Sequence, residues 1–336
     1  MLKKGFGVTR RLPVLLILFF MGEFYAFSQQ NVSKGNEDRK GSYLSVSLKA
    51  AGGGLDYKMY SSDLNEKGSR SNKMGYGLDV SYSYFFDKHW GVTSGLGFSR
   101  YASVGKLKGG MTDDKYFALG QLTDDDENGI PRDFELRARV SNLEEKQTVF
   151  FFEIPVMATY QTYFGEDKKW GMYGGLGVKL LLPVSPKFKI QNGQNSQLNV
   201  SGLYRQIDGL PTDMGAPSNP PVPQHGFGTI TNPNATLDWN DKAKLKMGVA
   251  GTADLGFLVT LDKSTDLTIG GYLDYGFSNL KKNADQKLFT APAQYHPGAD
   301  NQIGEGIQYN GMLNSSMTGK IKPIAFGVKV GVRFKL

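Results

Sequence analysis

The chain has 336 residues, 40% of them apolar and 21% charged, with no cysteine and a formal net charge of +7. No window approaches the roughly 18 apolar residues that a membrane helix needs, and the lack of cysteine excludes both a disulfide framework and a lipid-modified N-terminal cysteine. Residues 1–28 carry four basic side chains and one acidic one; the remaining charges are of both signs and dispersed, with no basic patch interleaved with stacking aromatics, so nucleic-acid binding is not expected.

The first element is a leader. Lys3, Lys4, Arg10 and Arg11 precede the apolar run Leu12 to Met21, and the small residues Ala26 and Ser28 follow at signal-peptidase spacing. A signal peptide over 1–28 is expected, then a short periplasmic segment over 29–41. Export to a bacterial envelope is the compartment this implies.

Eight segments then alternate apolar and small or polar residues, the two-residue period of a strand with unlike faces. They run Tyr43 to Ala50, Tyr76 to Phe86, Trp90 to Ser99, Val149 to Phe164, Trp170 to Leu182, Leu245 to Leu261, Leu267 to Ser278 and Ile324 to Leu336. In the last, Ile324, Phe326, Val328, Val330, Val332 and Phe334 oppose Ala325, Gly327, Lys329, Gly331, Arg333 and Lys335. Pro155 falls inside the fourth segment, where it removes a ladder donor and predicts a local bulge.

Connections alternate strictly between short ("DKH", "GEDKK", "DKSTD") and long, the latter at about 52–74, 102–147, 184–243 and 280–320. An up-and-down barrel with an even strand number puts all odd connections at one end and all even ones at the other, and outer-membrane barrels keep short periplasmic turns and long extracellular loops. A soluble barrel of inverted polarity would alternate too. Three features favour lipid outside: glycines on the polar face (Gly95, Gly97, Gly175, Gly177), which suit a crowded lumen; aromatics at strand ends (Tyr84, Phe85, Phe86, Trp90, Phe164, Trp170, Phe334), like an interfacial girdle; and about 10 residues per segment, enough to cross tilted. The fold expected is all-β: an eight-stranded antiparallel up-and-down transmembrane β-barrel over 42–336, with both termini periplasmic and the long loops folded into a cap outside.

The runs "LEEKQTVFFFEIPVMATYQ" and "WGMYGGLGVKLLLPV", the exported N-terminus and the closing strand ending in Phe334 resemble the small eight-stranded outer-membrane β-barrel family, the OmpA- or OmpX-like group with its porin-like barrel domain. The resemblance covers 42–336 and implies a fold and a location in the outer membrane of a Gram-negative cell, not an activity. The peptidoglycan-binding domain that follows the barrel in some relatives is not expected, since the sequence stops at strand eight.

On the lumen face the alternation places Asp79, Glu153, Asp254 and Asp274 against Lys49, Lys179, Lys246, Lys329 and Arg333. Such charges line an ion path or pair into a plug; an eight-stranded bore is just wide enough for side chains to fill, and unpaired burial costs several kcal/mol each, so a paired network is expected. The stretch Asp124 to Glu135 matches a calcium-loop spacing: Asp124, Asp126 and Asn128 at positions one, three and five, Gly129 at six, the Ile130 carbonyl at seven and Glu135 at twelve. Pro131, Arg132 and the absence of flanking amphipathic helices weigh against it, and a solvated acidic turn is the alternative.

His89, His225 and His296 are the histidines, and no nucleophile elbow, zinc-protease or phosphate-loop motif is present. The function expected is non-enzymatic: a barrel that works through its loops on an extracellular ligand or other envelope proteins, with outer-membrane lipid around it. A narrow porin and a loop-borne enzyme using His225 or His296 are the alternatives.

Overall fold

The computed structural model describes residues 39–112, 114–125, 131–190, 197–204, 224–231, 240–282, 286–291 and 307–336. The expected signal peptide over 1–28 lies outside them. Among the described residues no helix is long and apolar enough to cross a membrane, which says nothing of strands.

Eight long strands build a closed ring: β1 (Gly41–Asp56), β2 (Ser69–Phe85), β3 (Trp90–Gly110), β4 (Pro131–Phe164), β5 (Trp170–Ile190), β6 (Gly248–Thr260), β7 (Thr265–Gly276) and β8 (Lys322–Lys335). Each pairs antiparallel with its neighbour in sequence. The ring closes between β1 and β8, from Tyr43 opposite Lys335 to Asp56 opposite Lys322. Both ends of the ring therefore lie beside the three short turns, and the four long connections share the other end.

The alternation dictates the wall. Leu48, Val80, Leu96, Leu176, Leu255 and Val328 stand exposed around the outside, a band that no soluble monomer would leave bare and that an outer-membrane barrel presents to lipid. At the short-turn end Phe86, Trp90, Phe164 and Trp170 are exposed. Phe85 and Phe334 differ from the expected girdle in being buried. The turn between β2 and β3 is held by Asp87, whose Oδ1 accepts from the amides of His89 and Trp90 at 2.6 Å each; those bonds, Trp90's first, hold its carboxyl below the usual range.

Two sequence expectations need correction. The register around Pro155 is unbroken, with Ser94 opposite Val156 and Gly97 opposite Glu153. No bulge forms: the pairing to β3 skips Gly95 and Leu96, the pairing to β5 runs straight through Pro155 opposite Lys179, and Ser94 Oγ donates to the Pro155 carbonyl at 2.9 Å.

The segments expected as loops are, in large part, the same strands carried upward. β1 runs on to Asp56, β3 to Gly110 and β5 to Ile190, while β4 begins at Pro131 and spans 34 residues. Further strands widen this upper sheet: Phe117–Asp125 and Gln197–Tyr204 pair with β4, Gln224–Thr231 with Gln197–Tyr204, and Asn240–Lys242 with β5. The upper sheet curls over a core that includes Phe134, Leu136, Phe188, Leu198, Phe289 and Met312, all buried. This cap is a packed body at the long-connection end.

Candidate functional site

Three layers of charge cross the bore. Nearest the cap, Lys49 Nζ lies 2.9 Å from Asp79 Oδ1 and 2.8 Å from Glu153 Oε2, and Lys179 Nζ lies 3.2 Å from the same Glu153 oxygen and 2.7 Å from Asp274 Oδ2. Tyr101 donates its hydroxyl to Asp274 at 3.3 Å. At mid-height Lys329 meets Asp254 at 2.6 Å. At the short-turn end Arg333 reaches Asp266 at 2.8 Å and Tyr163 Oη at 2.6 Å, Tyr163 donates to Asp266 at 2.8 Å, and Arg39 approaches Asp266 at 3.5 Å with its guanidinium stacked over the Tyr163 ring.

The structure thus brings Asp79, Glu153, Lys179, Asp254, Asp274, Lys329 and Arg333 into ion pairs, with Lys49 among them. Lys246 does not join: it precedes β6 and is exposed. Arg39 and Asp266 were missed. With them, five carboxylates (Asp79, Glu153, Asp254, Asp266, Asp274) face five cations (Arg39, Lys49, Lys179, Lys329, Arg333). Charges taken out of water need such compensation, because removing one partner leaves the other buried and alone. Glycine makes room for them: a side chain at Gly97 would collide with the Asp79 carboxylate, and a Cβ at Gly175 would stand 2.5 Å from Asp254 Oδ1.

Between the outer layers is a chamber of about 90 Å³, bordered by Ser45, Ser47, Thr252, Thr268 and the Lys329–Asp254 pair, and also by the apolar Phe85, Met157 and Leu258. It has room for several waters.

A second polar centre sits in the cap. Glu145 is fully buried; its Oε2 accepts from Tyr309 Oη and from the Met312 amide, each at 2.7 Å, and its Oε1 from Gln147 Nε2 at 2.7 Å. Gln147 Oε1 in turn accepts from Tyr57 at 2.7 Å and Ser103 at 2.8 Å. Burial pushes the Glu145 carboxyl above the usual glutamate range, outweighing the three donors that pull it down. The Tyr309 hydroxyl is driven well up, first by burial and then by the carboxylate beside it. This cluster fastens the segment around Met312 onto β4.

The calcium spacing is placed differently from its expectation. Phe117–Asp125 and β4 form a hairpin with Asp124 opposite Arg132 and Gln121 opposite Glu135, so Glu135 stands three rungs from Asp124 instead of curling back onto it. The Glu135 carboxylate is taken by Arg137 at 3.4 Å. Asp126, Asn128 and Ile130 lie outside the described residues. Among the described residues no group of three His, Asp or Glu side chains could hold a metal.

His89 Nδ1 is 2.9 Å from the Gln161 carbonyl and its ring stacks on Tyr160, at the short-turn end. His225 is in the strand Gln224–Thr231, opposite Gly202, and His296 lies outside the described residues.

Residues 27–282, more than half of the chain, match the family described as outer membrane protein beta-barrel domain. The chain belongs to that family. Its members reside in the bacterial outer membrane, which explains the apolar outer band. A search of curated proteins finds no match. Among solved structures the chain is similar to the outer membrane protein OprG from Pseudomonas aeruginosa, at 12% identity and a TM-score of 0.39, covering 90% of this chain and 100% of that one. It is similar to Neisserial surface protein A at 9% identity and a TM-score of 0.31, covering 88% and 96%. To Ail, the attachment invasion locus protein of Yersinia pestis, the figures are 10% identity and a TM-score of 0.30, covering 88% and 99%. Likenesses this distant assign no activity to this chain.

Proposed function

We propose that this protein is a sealed, non-enzymatic outer-membrane barrel whose cap, outside the cell, is its working part: a β-structured surface that binds an extracellular ligand or another envelope protein. In this reading both ends of the ring and the short turns are periplasmic. One observation carries it. The long connections do not merely link strands; they extend the barrel wall and bury an apolar core of their own, with Phe134, Leu136 and Leu198 at 2% exposure or less. Ordering that many residues costs on the order of 1–2 kcal/mol each in backbone entropy, and strand connection alone asks for only a few residues. A cap built at that cost presents a defined surface. The bore beneath it is crossed by ion pairs, which supports a structural rather than a conducting lumen.

Two measurements test this. Full-length protein in planar bilayers should give no sustained steps of porin size; large, stable steps would replace this reading with that of a channel, for which the chamber in the bore would be the path. In cells, photo-crosslinkers at exposed cap positions should capture a defined surface or envelope partner, and deleting the 111–139 hairpin should abolish capture while the shortened protein still inserts. Capture unchanged by the deletion would move the function away from the cap.

A further inference from the structure

One residue ahead of the ring crosses its mouth. Arg39 lies two residues before β1, and its carbonyl accepts from Tyr43 Oη of β1 at 2.8 Å and from Gln161 Nε2 of β4 at 3.1 Å. Its guanidinium reaches on to the far wall. Besides stacking over Tyr163 at 4.1 Å, it donates to the Thr260 hydroxyl of β6 at 3.3 Å and to the Lys168 carbonyl in the turn between β4 and β5 at 3.4 Å, and it faces Asp266 of β7 at 3.5 Å. In an eight-stranded ring β4 to β6 stand across the bore from β1, so this single residue spans the opening at the short-turn end. Tyr43, Gln161 and Asp266 sit within a few residues of the strand ends, yet they are 1%, 0% and 2% exposed. Arg39 touches all three.

Its hold differs in kind from the ion pairs above it. Lys329 stands on β8, laddered on both sides, and withdrawing it would leave Asp254 buried without its ion-pair partner, the costly case for a charge out of water. Arg39 would leave nothing stranded. Asp266 keeps Arg333 at 2.8 Å, Tyr163 at 2.8 Å and Thr260 at 2.9 Å without it, and the side-chain bonds of Arg39 are longer than the roughly 3.2 Å of an ordinary hydrogen bond. The backbone supplies a pivot. Gly41, at φ +119°, has a conformation that residues with side chains rarely adopt, and the chain turns there between strand and crossing residue. Directly inward is the chamber, whose border includes Ser47, Ser83, Thr159 and Arg333. Its other end is shut by the layer of Lys49 and Lys179.

We propose that Arg39 is a latch on this mouth: closed, it shuts the chamber off from water; released by a turn at Gly41, it admits water and small solutes from the short-turn end without opening a path through the barrel. That end is periplasmic on the reading given above, so the compartment from which solutes enter rests on that reading, and the latch itself does not.

The chain has no cysteine, so Ser47→Cys places a single thiol in the chamber, where the serine is almost wholly buried. The folded full-length protein in detergent is labelled with a small methanethiosulfonate reagent, with and without Arg39→Ala. Labelling should be about tenfold faster or more in the Arg39→Ala background, the change in local opening that follows the loss of one charge-assisted hydrogen bond. A second reporter, Ser103→Cys, lies in the cap, where the serine is wholly buried against Gln147, and its rate should not change. Equal labelling at Ser47→Cys in the two backgrounds would overturn the proposal, since the mouth would then be shut by the Arg333 layer alone or the chamber entered elsewhere. Equal acceleration at both reporters would overturn it as well, as a general loosening of the fold. Detergent removes sidedness, so a barrel inserted the other way round would leave these rates unchanged.

Discussion

The barrel and the cap solve burial in opposite ways, although β1, β3, β4 and β5 run through both. In the barrel, apolar side chains point out and charge is buried, five carboxylates against five cations, with serines and threonines between them. In the cap the same strands turn apolar side chains in: Leu107 on β3, Phe134 and Leu143 on β4 and Phe188 on β5 are almost wholly buried. The difference lies in the solvent each wall meets. Lipid cannot solvate charge, so charge moves inward and must be matched ion for ion; water around the cap lets apolar packing do the work.

The two regions should therefore fail separately, and the largest effect belongs to the cap. Phe134→Ala should cost about 4 kcal/mol of cap stability, the usual range for emptying a phenylalanine site in a packed core. Hydrogen exchange should speed up in Gln197–Tyr204, its partner strand, while heat-modifiable migration of the barrel is retained. A matching loss of protection in the middle of β6 and β7 would show one cooperative unit and break the comparison.

In the barrel the sensitive position is Glu153, wholly buried between Lys49 and Lys179. Glu153→Gln should destabilise the barrel by about 3 kcal/mol, because both ammoniums lose an anion they cannot exchange for water. Thermal unfolding in detergent reads this directly, and adding Lys49→Met should recover part of the loss. An unchanged melting temperature in the single variant would mean that Asp79 and Asp274 carry the network without it.

How much of this the sequence disclosed follows from the same contrast. In the membrane-height part, two-residue alternation holds strand after strand, so the eight elements, their turns and most of the lumen charges can be read directly. Asp266 escaped because it closes the polar run "DKSTD", where it reads as a turn residue, and Arg39 because it sits in the charged run "NEDRK". The cap strands escaped for a different reason. On β4 residues 134–140 are buried on both faces, with the apolar Leu136, Ala138 and Val140 at even positions, and the buried positions are then the odd ones Leu143, Glu145, Gln147 and Val149. The switch falls at Asn142, whose φ is +52°. On β5 the inward residues change from odd to even, Leu181 to Phe188, across Ser185 at φ +48°. Each left-handed residue shifts the phase by one, and a phase shift erases the alternation that reveals a strand.

The smallest effect expected is a pH dependence confined to the cap, and it arises where the cap departs from the barrel's rule. Glu145 is buried as deeply as Glu153, yet its three partners are the neutral donors Tyr309, Gln147 and the Met312 amide. Burial raises its carboxyl above the ordinary value of 4.5, so the folded cap holds that proton more tightly than the unfolded segment does. The stabilising contribution is then complete below the unfolded value and is lost as pH rises through the folded one. Protease protection of residues 307–321 should accordingly be highest in acid and decline toward neutral pH. Glu145→Gln should flatten that decline while lowering protection overall, since its amide nitrogen cannot accept the bond that the replaced oxygen took. Barrel melting over the same range should not follow it. Protection that rises with pH, or an equal slope in the glutamine variant, would show that the cap's titration belongs to another group and that Glu145 is held as a carboxylate by its donors alone.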